Sequence, residues 1–216
     1  MNSNKTPAVA LVTGGSRGIG RAIVDALAEE GWKVFFCSQS SESVTRAARE
    51  LAASYQGQVH GRACDVGQQD AVDDLVSWAV DTAGRIDCLV NNAGIGHFGP
   101  VDEISGDAWR QLIRTNLNGA FYATRAVVPW MKAQGGGWII NIASLAGRNP
   151  FAGGAAYNAS KFGMVGFSEA SMLDLRHYGI RVAAILPGSV RTDFSHPKPG
   201  ASDDWKLSPE DVARTV

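Results

Sequence analysis

The chain has 216 residues, with 20 lysines and arginines against 21 aspartates and glutamates, and a formal net charge of −1. This balance gives no basis for a nucleic-acid partner or for attraction to an anionic membrane. The three cysteines are widely separated, so we expect neither a disulfide framework nor a metal site. The sequence offers no apolar stretch typical of a signal peptide or a membrane span, and the cytoplasm is the expected location.

Short apolar runs alternate with longer stretches of helical periodicity along the whole chain. The predicted strands cover residues 8–12, 33–37, 58–63, 86–90, 138–143 and 181–186. The predicted helices cover residues 21–30, 41–54, 68–82, 107–132 and 155–178. Because the strands are nearly continuous apolar runs, we expect a parallel sheet with helices on both faces. Right-handed crossovers then give an α/β, doubly wound parallel-sheet Rossmann fold, as a single domain over residues 1–216.

The last residues have the pattern of a helix start. Ser208 suits the N-cap, Pro209 the first helical position, and Glu210 and Asp211 the first turn. About two turns of sequence follow, so we expect either a short helix or a chain that is part of a longer product.

A glycine-rich segment with the sequence GGSRGIG joins the first predicted strand to the first predicted helix. In this context it predicts a dinucleotide-binding loop, with free N–H groups at the helix start facing the phosphates; an ordinary glycine-rich turn is the alternative. Gly14 permits the tight turn, Gly18 the close approach of phosphate, and Gly20 the packing of the helix on the sheet. The cofactor contacts expected from this loop are Gly14, Ser16, Arg17, Gly18, Ile19 and Gly20.

The end of the second strand bears on the choice of dinucleotide. Sites for NAD place an aspartate or glutamate there, whereas this sequence reads Ser38-Gln39-Ser40-Ser41. Without that carboxylate a ribose 2′-phosphate is not repelled, and Arg17 and the serine hydroxyls can bind one. We therefore predict NADP(H), with NAD as the alternative because residue 39 is not an arginine.

A second group of residues indicates acid–base chemistry. Tyr157 and Lys161 are four residues apart on one face of a predicted helix, and Ser144 follows the fifth strand, at the edge where α/β sheets bind ligands. A nearby ammonium is expected to lower the phenol pKa from its usual value near 10, which suits a general acid for carbonyl reduction and a base for alcohol oxidation. Ser144 is expected to hydrogen-bond the substrate oxygen.

Together these motifs resemble the classical short-chain dehydrogenases/reductases, particularly the branch around 3-oxoacyl-carrier-protein reductase. The resemblance runs from about residue 8 to residue 216. The motifs that carry it are TGGSRGIG at 13–20, Asp65-Val66, NNAG at 91–94, Asn116, Ser144, YNASK at 157–161, and Pro187-Gly188 with Thr192.

The resemblance implies further site residues. Asp65 and Val66 would contact the adenine, and Asn92, Ala93 and Gly94 the adenine-side ribose and central strand. Asn116, Ser144, Tyr157 and Lys161 would form a catalytic tetrad, in which Asn116 breaks its helix and its main-chain carbonyl holds a water linked to Lys161. Lys161 would also bond the nicotinamide ribose, and the carboxamide would be held by Pro187, Gly188, Val190 and Thr192. Capping of a helix by Asp65 and a turn role for Asn92 are the plainer alternatives.

The resemblance also implies a subunit arrangement and shows two departures. The helices near residues 116–131 and 155–178 would pair across subunits in a homodimer or homotetramer. The final strand of the family is apparently missing. Residues 193–206, rich in proline, glycine and serine, resemble a mobile substrate loop.

The function expected from all of this is NADP(H)-dependent hydride transfer between nicotinamide and a carbonyl or secondary alcohol. The substrate is expected to be a small molecule, either a 3-oxoacyl thioester or a small ketone. A non-catalytic nucleotide sensor on the same fold, and an epimerase or dehydratase, are the other hypotheses. His97 follows the fourth strand and is expected at the rim of the cleft.

Overall fold

The computed structural model describes residues 6–194 and 204–216. In this part of the chain the strands are β1 (Val9–Thr13), β2 (Lys33–Ser38), β3 (Val59–Ala63), β4 (Cys88–Asn91), β5 (Gly137–Ile142) and β6 (Ile180–Ile185). All pair in parallel, in the spatial order β3-β2-β1-β4-β5-β6. The order reverses between β1 and β4, where open α/β sheets bind ligands. The predicted doubly wound fold is confirmed.

Helices cover both faces of the sheet. They are α1 (Gly18–Glu29), α2 (Ser41–Ser54), α3 (Gln69–Ala83), α4 (Gly106–Ile113), α5 (Gly119–Gln134), α6 (Ala155–Leu175) and α7 (Pro209–Ala213). Side chains alternate along β1, so that Val9 and Leu11 pack with α3 and α5, and Ala10 and Val12 pack with α1 and α2. This alternation divides the core into two apolar layers, one on each side of the sheet.

The long helix predicted over residues 107–132 is interrupted in the structure. A π-helical turn at Arg114–Asn118 separates α4 from α5. The helix predicted over 155–178 likewise ends at Leu175, and a 3₁₀ turn at Arg176–Tyr178 follows. Apolar periodicity locates the buried face of a helix but does not register one additional residue in a turn, and a π turn is such an insertion.

The predicted C-terminal helix start is confirmed. Ser208 caps α7 by accepting a hydrogen bond from the Asp211 N–H at 3.1 Å, and the Asp211 carboxylate accepts one from the Ser208 N–H at 2.8 Å. Val212 and Ala213 are buried, and α7 packs on α1. The segment therefore belongs to the helical layer beside β1.

The loop predicted over residues 193–206 lies mainly outside the described residues, which omit 195–203. Among the helices that the structure describes, none has the combination of length and apolar character needed to cross a membrane. All three cysteines are buried, and none is in a disulfide.

A chain of buried polar side chains crosses the sheet near its carboxyl edge. The Asn91 amide donates to the Asn141 side-chain oxygen at 2.8 Å and to the Thr124 hydroxyl at 3.2 Å. The Asn141 amide in turn donates to the Ser168 hydroxyl at 2.8 Å. These groups lie on β4, β5, α5 and α6. Because buried amides are costly without partners, the chain of hydrogen bonds fixes α5 and α6 relative to the sheet.

We expect Asn141→Ala to lower the free energy of unfolding by roughly 2–4 kcal/mol, because it leaves the Asn91 amide and Ser168 short of a partner and opens a cavity. Urea denaturation followed by circular dichroism measures the change. The exposed Asn149→Ala is the control and should change stability by less than about 0.5 kcal/mol. Equal stabilities for the two variants would contradict the role given to the buried amides.

Candidate active site

The loops that follow the strands enclose a cleft of about 770 Å³ at the carboxyl edge of the sheet. Nearly all residues that the sequence assigned to a site line this cleft. They are Gly14, Ser16, Arg17, Gly18, Ile19, Gly20, Ser38, Asp65, Val66, Asn92, Ala93, Gly94, Ser144, Tyr157, Lys161, Pro187, Gly188, Val190 and Thr192. The exceptions are Asn116, Ser40 and Ser41. His97, which was expected at the rim, does not line the cleft either.

The glycine-rich loop folds back tightly on the start of α1. Gly14 has a φ of 69°, and a Cβ atom on Gly20 would lie 2.3 Å from the Gly14 carbonyl oxygen. Arg17, the N-cap residue, provides no capping side chain for α1, unlike Ser40 at the start of α2. The first N–H groups of a helix have no partner within it, and here Gly18 and Ile19 line the cleft. The loop can therefore bind an anion.

Thr13 and Asn92 attach the glycine-rich loop to the end of β4. The Thr13 hydroxyl accepts hydrogen bonds from the N–H groups of Asn92 and Ala93 at 3.0 and 3.1 Å. The Asn92 amide donates to the carbonyls of Thr13 and Gly14 at 2.9 and 3.1 Å. Asn92 thus shapes the floor of the cleft through its side chain. This role of Thr13 was not predicted, because a hydroxyl at the end of a strand is not by itself a signal.

At the end of the cleft beside β2, only some of the residues predicted to bind a 2′-phosphate are in place. Ser38 and the exposed Arg17 line it, together with Gln39. Ser40 does not line the cleft, because its hydroxyl accepts the Ser43 N–H at 3.2 Å as the cap of α2. Ser41 is the first residue of α2 and also lies outside the lining. Of the three predicted hydroxyls, Ser38 alone remains in position to meet a ligand.

Asp65 makes two contacts that the sequence did not predict, and it does not cap α3, whose N-cap residue is Gln68. Its Oδ1 accepts the Gly67 N–H at 2.9 Å in a local turn. Its Oδ2 forms an ion pair with Arg114 at 2.8 Å, and both residues line the cleft. Arg114 begins the π turn, and nothing in the linear sequence relates it to a residue 49 positions earlier.

Ser144, Tyr157 and Lys161 are brought together as predicted. Ser144 lies two residues after the end of β5, and its hydroxyl accepts the Ala146 N–H at 3.1 Å. It also lies near enough to the Tyr157 hydroxyl to favour the ionised form of the phenol. The Lys161 Nζ donates to the Ile142 carbonyl at 2.9 Å and lies 5.8 Å from the centre of the Tyr157 ring.

The electrostatics of these groups differ in one respect from expectation. Burial lowers the pKa of Lys161 to about 8. Burial raises the pKa of Tyr157, and the nearby Ser144 hydroxyl acts in the opposite direction. The prediction that Lys161 lowers the Tyr157 pKa is wrong for this state of the protein, because removal of the phenol from water outweighs the favourable effects. The phenol is therefore protonated at neutral pH.

Asn116 lies behind the cleft rather than in its wall. Its amide donates to the Ile95 carbonyl at 2.9 Å and to the Ser160 hydroxyl at 3.1 Å, and its oxygen accepts the Ile95 N–H at 2.8 Å. The side chain therefore links the loop after β4 to the residue next to Lys161. In this structure the Asn116 side chain positions other groups and is not itself exposed to a ligand.

Several lining residues carried no signal in the sequence. Phe98 and Phe151 come from loops without a motif, yet both line the cleft beside Tyr157. Isolated phenylalanines in a sequence are ordinarily core residues, so their exposure in a cleft could be found only from the structure.

Comparison with known proteins identifies the family to which this chain is similar. The sequence profile described as short chain dehydrogenase matches residues 8–202. A 3-oxoacyl-[acyl-carrier-protein] reductase from Synechocystis is 40% identical over 191 residues, which cover 88% of this chain and 77% of the relative.

Two solved structures share the fold. One is a metagenomic short-chain oxidoreductase in complex with NADP, with a TM-score of 0.84 and 37% identity, covering 96% of this chain and 87% of that one. The other is an alcohol dehydrogenase from the archaeon Thermococcus sibiricus complexed with 5-hydroxy-NADP, with a TM-score of 0.90 and 28% identity, covering 97% and 88%. With its fold, its cleft and its motifs in agreement, this chain belongs to the short-chain dehydrogenase family.

Proposed function

We propose that this protein is an NADP(H)-dependent oxidoreductase that interconverts a carbonyl compound and a secondary alcohol. The observation that carries the proposal is the meeting of Ser144, Tyr157 and Lys161 in the same cleft as the glycine-rich loop. The NADP and 5-hydroxy-NADP bound by the two structural neighbours support the choice of cofactor.

The residues that line the cleft fit this dinucleotide. The uncapped start of α1 suits the pyrophosphate. Ser38 and Arg17 suit a ribose 2′-phosphate, and within the described lining the carboxylates are Asp65, already paired with Arg114, and Asp193. By the family resemblance, the adenine would contact Asp65 and Val66, and the ribose on that side would contact Asn92, Ala93 and Gly94. The nicotinamide carboxamide would be held by Pro187, Gly188, Val190 and Thr192.

The proton is handled by the side chains of this chain. When bound, the nicotinamide supplies or accepts the hydride and, in its oxidised form, adds a positive charge. In reduction, Tyr157 donates its phenolic proton to the substrate oxygen, and in oxidation the phenolate accepts it. Ser144 donates a hydrogen bond to the same oxygen. Lys161, charged below about pH 8, stabilises the phenolate that reduction leaves behind and binds the nicotinamide ribose.

Asn116 supports this arrangement from behind. Its side chain fixes Ser160, the neighbour of Lys161, and so holds the ammonium in register with the phenol. As the family resemblance implies, we propose that its main-chain carbonyl binds a water through which Lys161 exchanges protons with solvent.

The substrate of this reaction is a small carbonyl compound or alcohol. A 3-oxoacyl thioester is one candidate, supported by the name of the Synechocystis relative. A small ketone is the other, supported by the alcohol dehydrogenase among the structural neighbours.

We also infer that the protein is a homodimer or homotetramer. Large apolar side chains are exposed on α5 and α6, where the resemblance places subunit contacts. They include Phe121, Trp130, Phe162 and Leu173, each more than two-fifths exposed. Exposed apolar area of this kind commonly marks an interface.

Tyr157→Phe should lower kcat for ketone reduction by about 100-fold or more, because it removes the proton donor. The dissociation constant for NADPH should change less than about threefold, since the ring is retained and only its hydroxyl is lost. Nicotinamide absorbance with a panel of ketones measures the rate, and fluorescence titration measures binding.

Tyr178→Phe, on the surface beside Lys132, is the control and should retain full activity. Undiminished turnover by the Tyr157 variant would remove its assigned role. A wild-type protein that binds NADPH and reduces no carbonyl would instead favour the sensor hypothesis.

Arg17→Ala should raise KM for NADPH by roughly 10-fold and leave KM for NADH nearly unchanged, because the lost interaction is with the 2′-phosphate. Steady-state kinetics with both cofactors measures this difference. The exposed Arg46→Ala on α2, away from the cleft lining, is the matched control. A wild-type preference for NADH would overturn the assignment of NADP(H).

A further inference from the structure

Three phenylalanine rings surround the Tyr157 ring at one end of the cleft. The ring centres of Phe98, Phe194 and Phe151 lie 5.4, 5.8 and 6.5 Å from that of Tyr157. Phe98 and Phe151 are also 6.0 Å apart. They come from different segments: Phe98 follows β4, Phe151 precedes α6, and Phe194 follows β6. All line the cleft, so this aromatic cluster is a built surface rather than the side of one element.

The rings of the aromatic cluster are only half covered by protein. Phe98, Phe151 and Phe194 are 48%, 47% and 41% exposed. By contrast, the two phenylalanines of β2, Phe35 and Phe36, are fully buried. When a ligand covers a half-exposed apolar ring inside a concave site, the free energy falls because apolar surface is removed from water. The aromatic cluster therefore favours an apolar ligand beside Tyr157.

The chemistry of the cluster narrows the class of ligand. The three phenylalanine side chains carry neither charge nor hydrogen-bonding group, while the adjoining hydroxyls of Tyr157 and Ser144 suit a single oxygen atom. Aromatic pairs at centroid distances of about 4.5–7 Å are stabilised beyond the contribution of their buried area. A saturated chain or ring would gain the area contribution alone.

We propose that the substrate is an aryl ketone, with the aromatic ring attached to the carbonyl carbon packed against Phe98 and Phe151. This rests on the proposed function and specifies its substrate. The ketone gains a hydride at carbon and the Tyr157 proton at oxygen, while NADPH is oxidised to NADP⁺, and the product is the aryl carbinol. The aromatic ring lies next to the carbonyl because the oxygen is held at Tyr157, which is itself a member of the cluster.

The test compares acetophenone with cyclohexyl methyl ketone, which has the same carbon skeleton in saturated form. The measured quantity is the ratio of kcat/KM for the two ketones, in the wild type and in Phe98→Leu and Phe151→Leu. Leucine keeps an apolar side chain and removes the ring. Because the same two ketones are used throughout, their intrinsic reactivity cancels between variants. We expect each substitution to lower the ratio by roughly 3- to 10-fold.

The control is Trp138→Leu, at the amino end of β5 and 42% exposed, which should leave the ratio unchanged. Circular dichroism confirms that each variant is folded. A ratio that is unaltered or increased in both phenylalanine variants overturns the assignment, even if both ketones are reduced.

Binding separates this inference from the proposed function. Tyr157→Phe keeps the ring of the cluster and lacks the proton donor, so calorimetric titration with each ketone, in the presence of NADP⁺, reports affinity without turnover. We expect acetophenone to bind more tightly than cyclohexyl methyl ketone, and Phe98→Leu in the same background to remove most of the difference. Equal affinities overturn the aryl assignment, whereas failure of the wild type to reduce any ketone overturns the reaction instead.

Discussion

The burial of one ammonium group is the constraint on which the site depends. Lys161 is 5% exposed, and its Nζ is held by the Ile142 carbonyl rather than by a carboxylate among the described residues. A buried charge without a counter-charge is costly, and the fall of its pKa to about 8 expresses that cost. The group nevertheless remains mostly protonated at neutral pH. The fold thus maintains a positive charge at the floor of a cleft beside a phenol.

Holding that charge in place requires α6 to be fixed against the sheet. Hydrogen bonds do this at two levels. Farther from the cleft, Asn141 joins β5 to Ser168 of α6. Nearer to it, Asn116 joins the loop after β4 to Ser160. Both asparagines are almost fully buried, and a buried polar group without a hydrogen-bond partner is strongly destabilising. Positional accuracy at Lys161 therefore comes from buried amides that do not line the cleft.

The cleft divides by chemistry along its length. At the glycine-rich loop it presents backbone N–H groups and small residues, which suit phosphate. Around Tyr157 it presents exposed aromatic rings, which suit an apolar body carrying one oxygen. Lys161 and Ser144 lie with Tyr157, close to the aromatic rings. The two ends of the cleft thus match the polarity of the dinucleotide and of the proposed ketone.

The sequence predicted the parts that depend on local pattern. Continuous apolar runs gave the parallel strands, and the glycine spacing gave the loop before α1, because both follow from backbone geometry. The π turn at Asn116 was missed by the periodicity, which resembles that of a continuous helix, although the family resemblance implied a helix break there. The pairing of Asp65 with Arg114 and the direction of the Tyr157 pKa were missed for another reason. The ion pair depends on which distant residues meet, and the pKa depends on which residues cover the phenol, and both are set by the tertiary fold.

The protonation of Lys161 tests the central claim most directly. Lysines labelled with ¹³C at Cε can be titrated by NMR in the cofactor-free protein, with Lys161→Met identifying the resonance. We predict a midpoint near 8 for Lys161, well below the value of about 10.4 that is usual for a lysine in water. A midpoint for Lys161 equal to that of the exposed lysines would show that the ammonium is not buried as described, and would contradict the account.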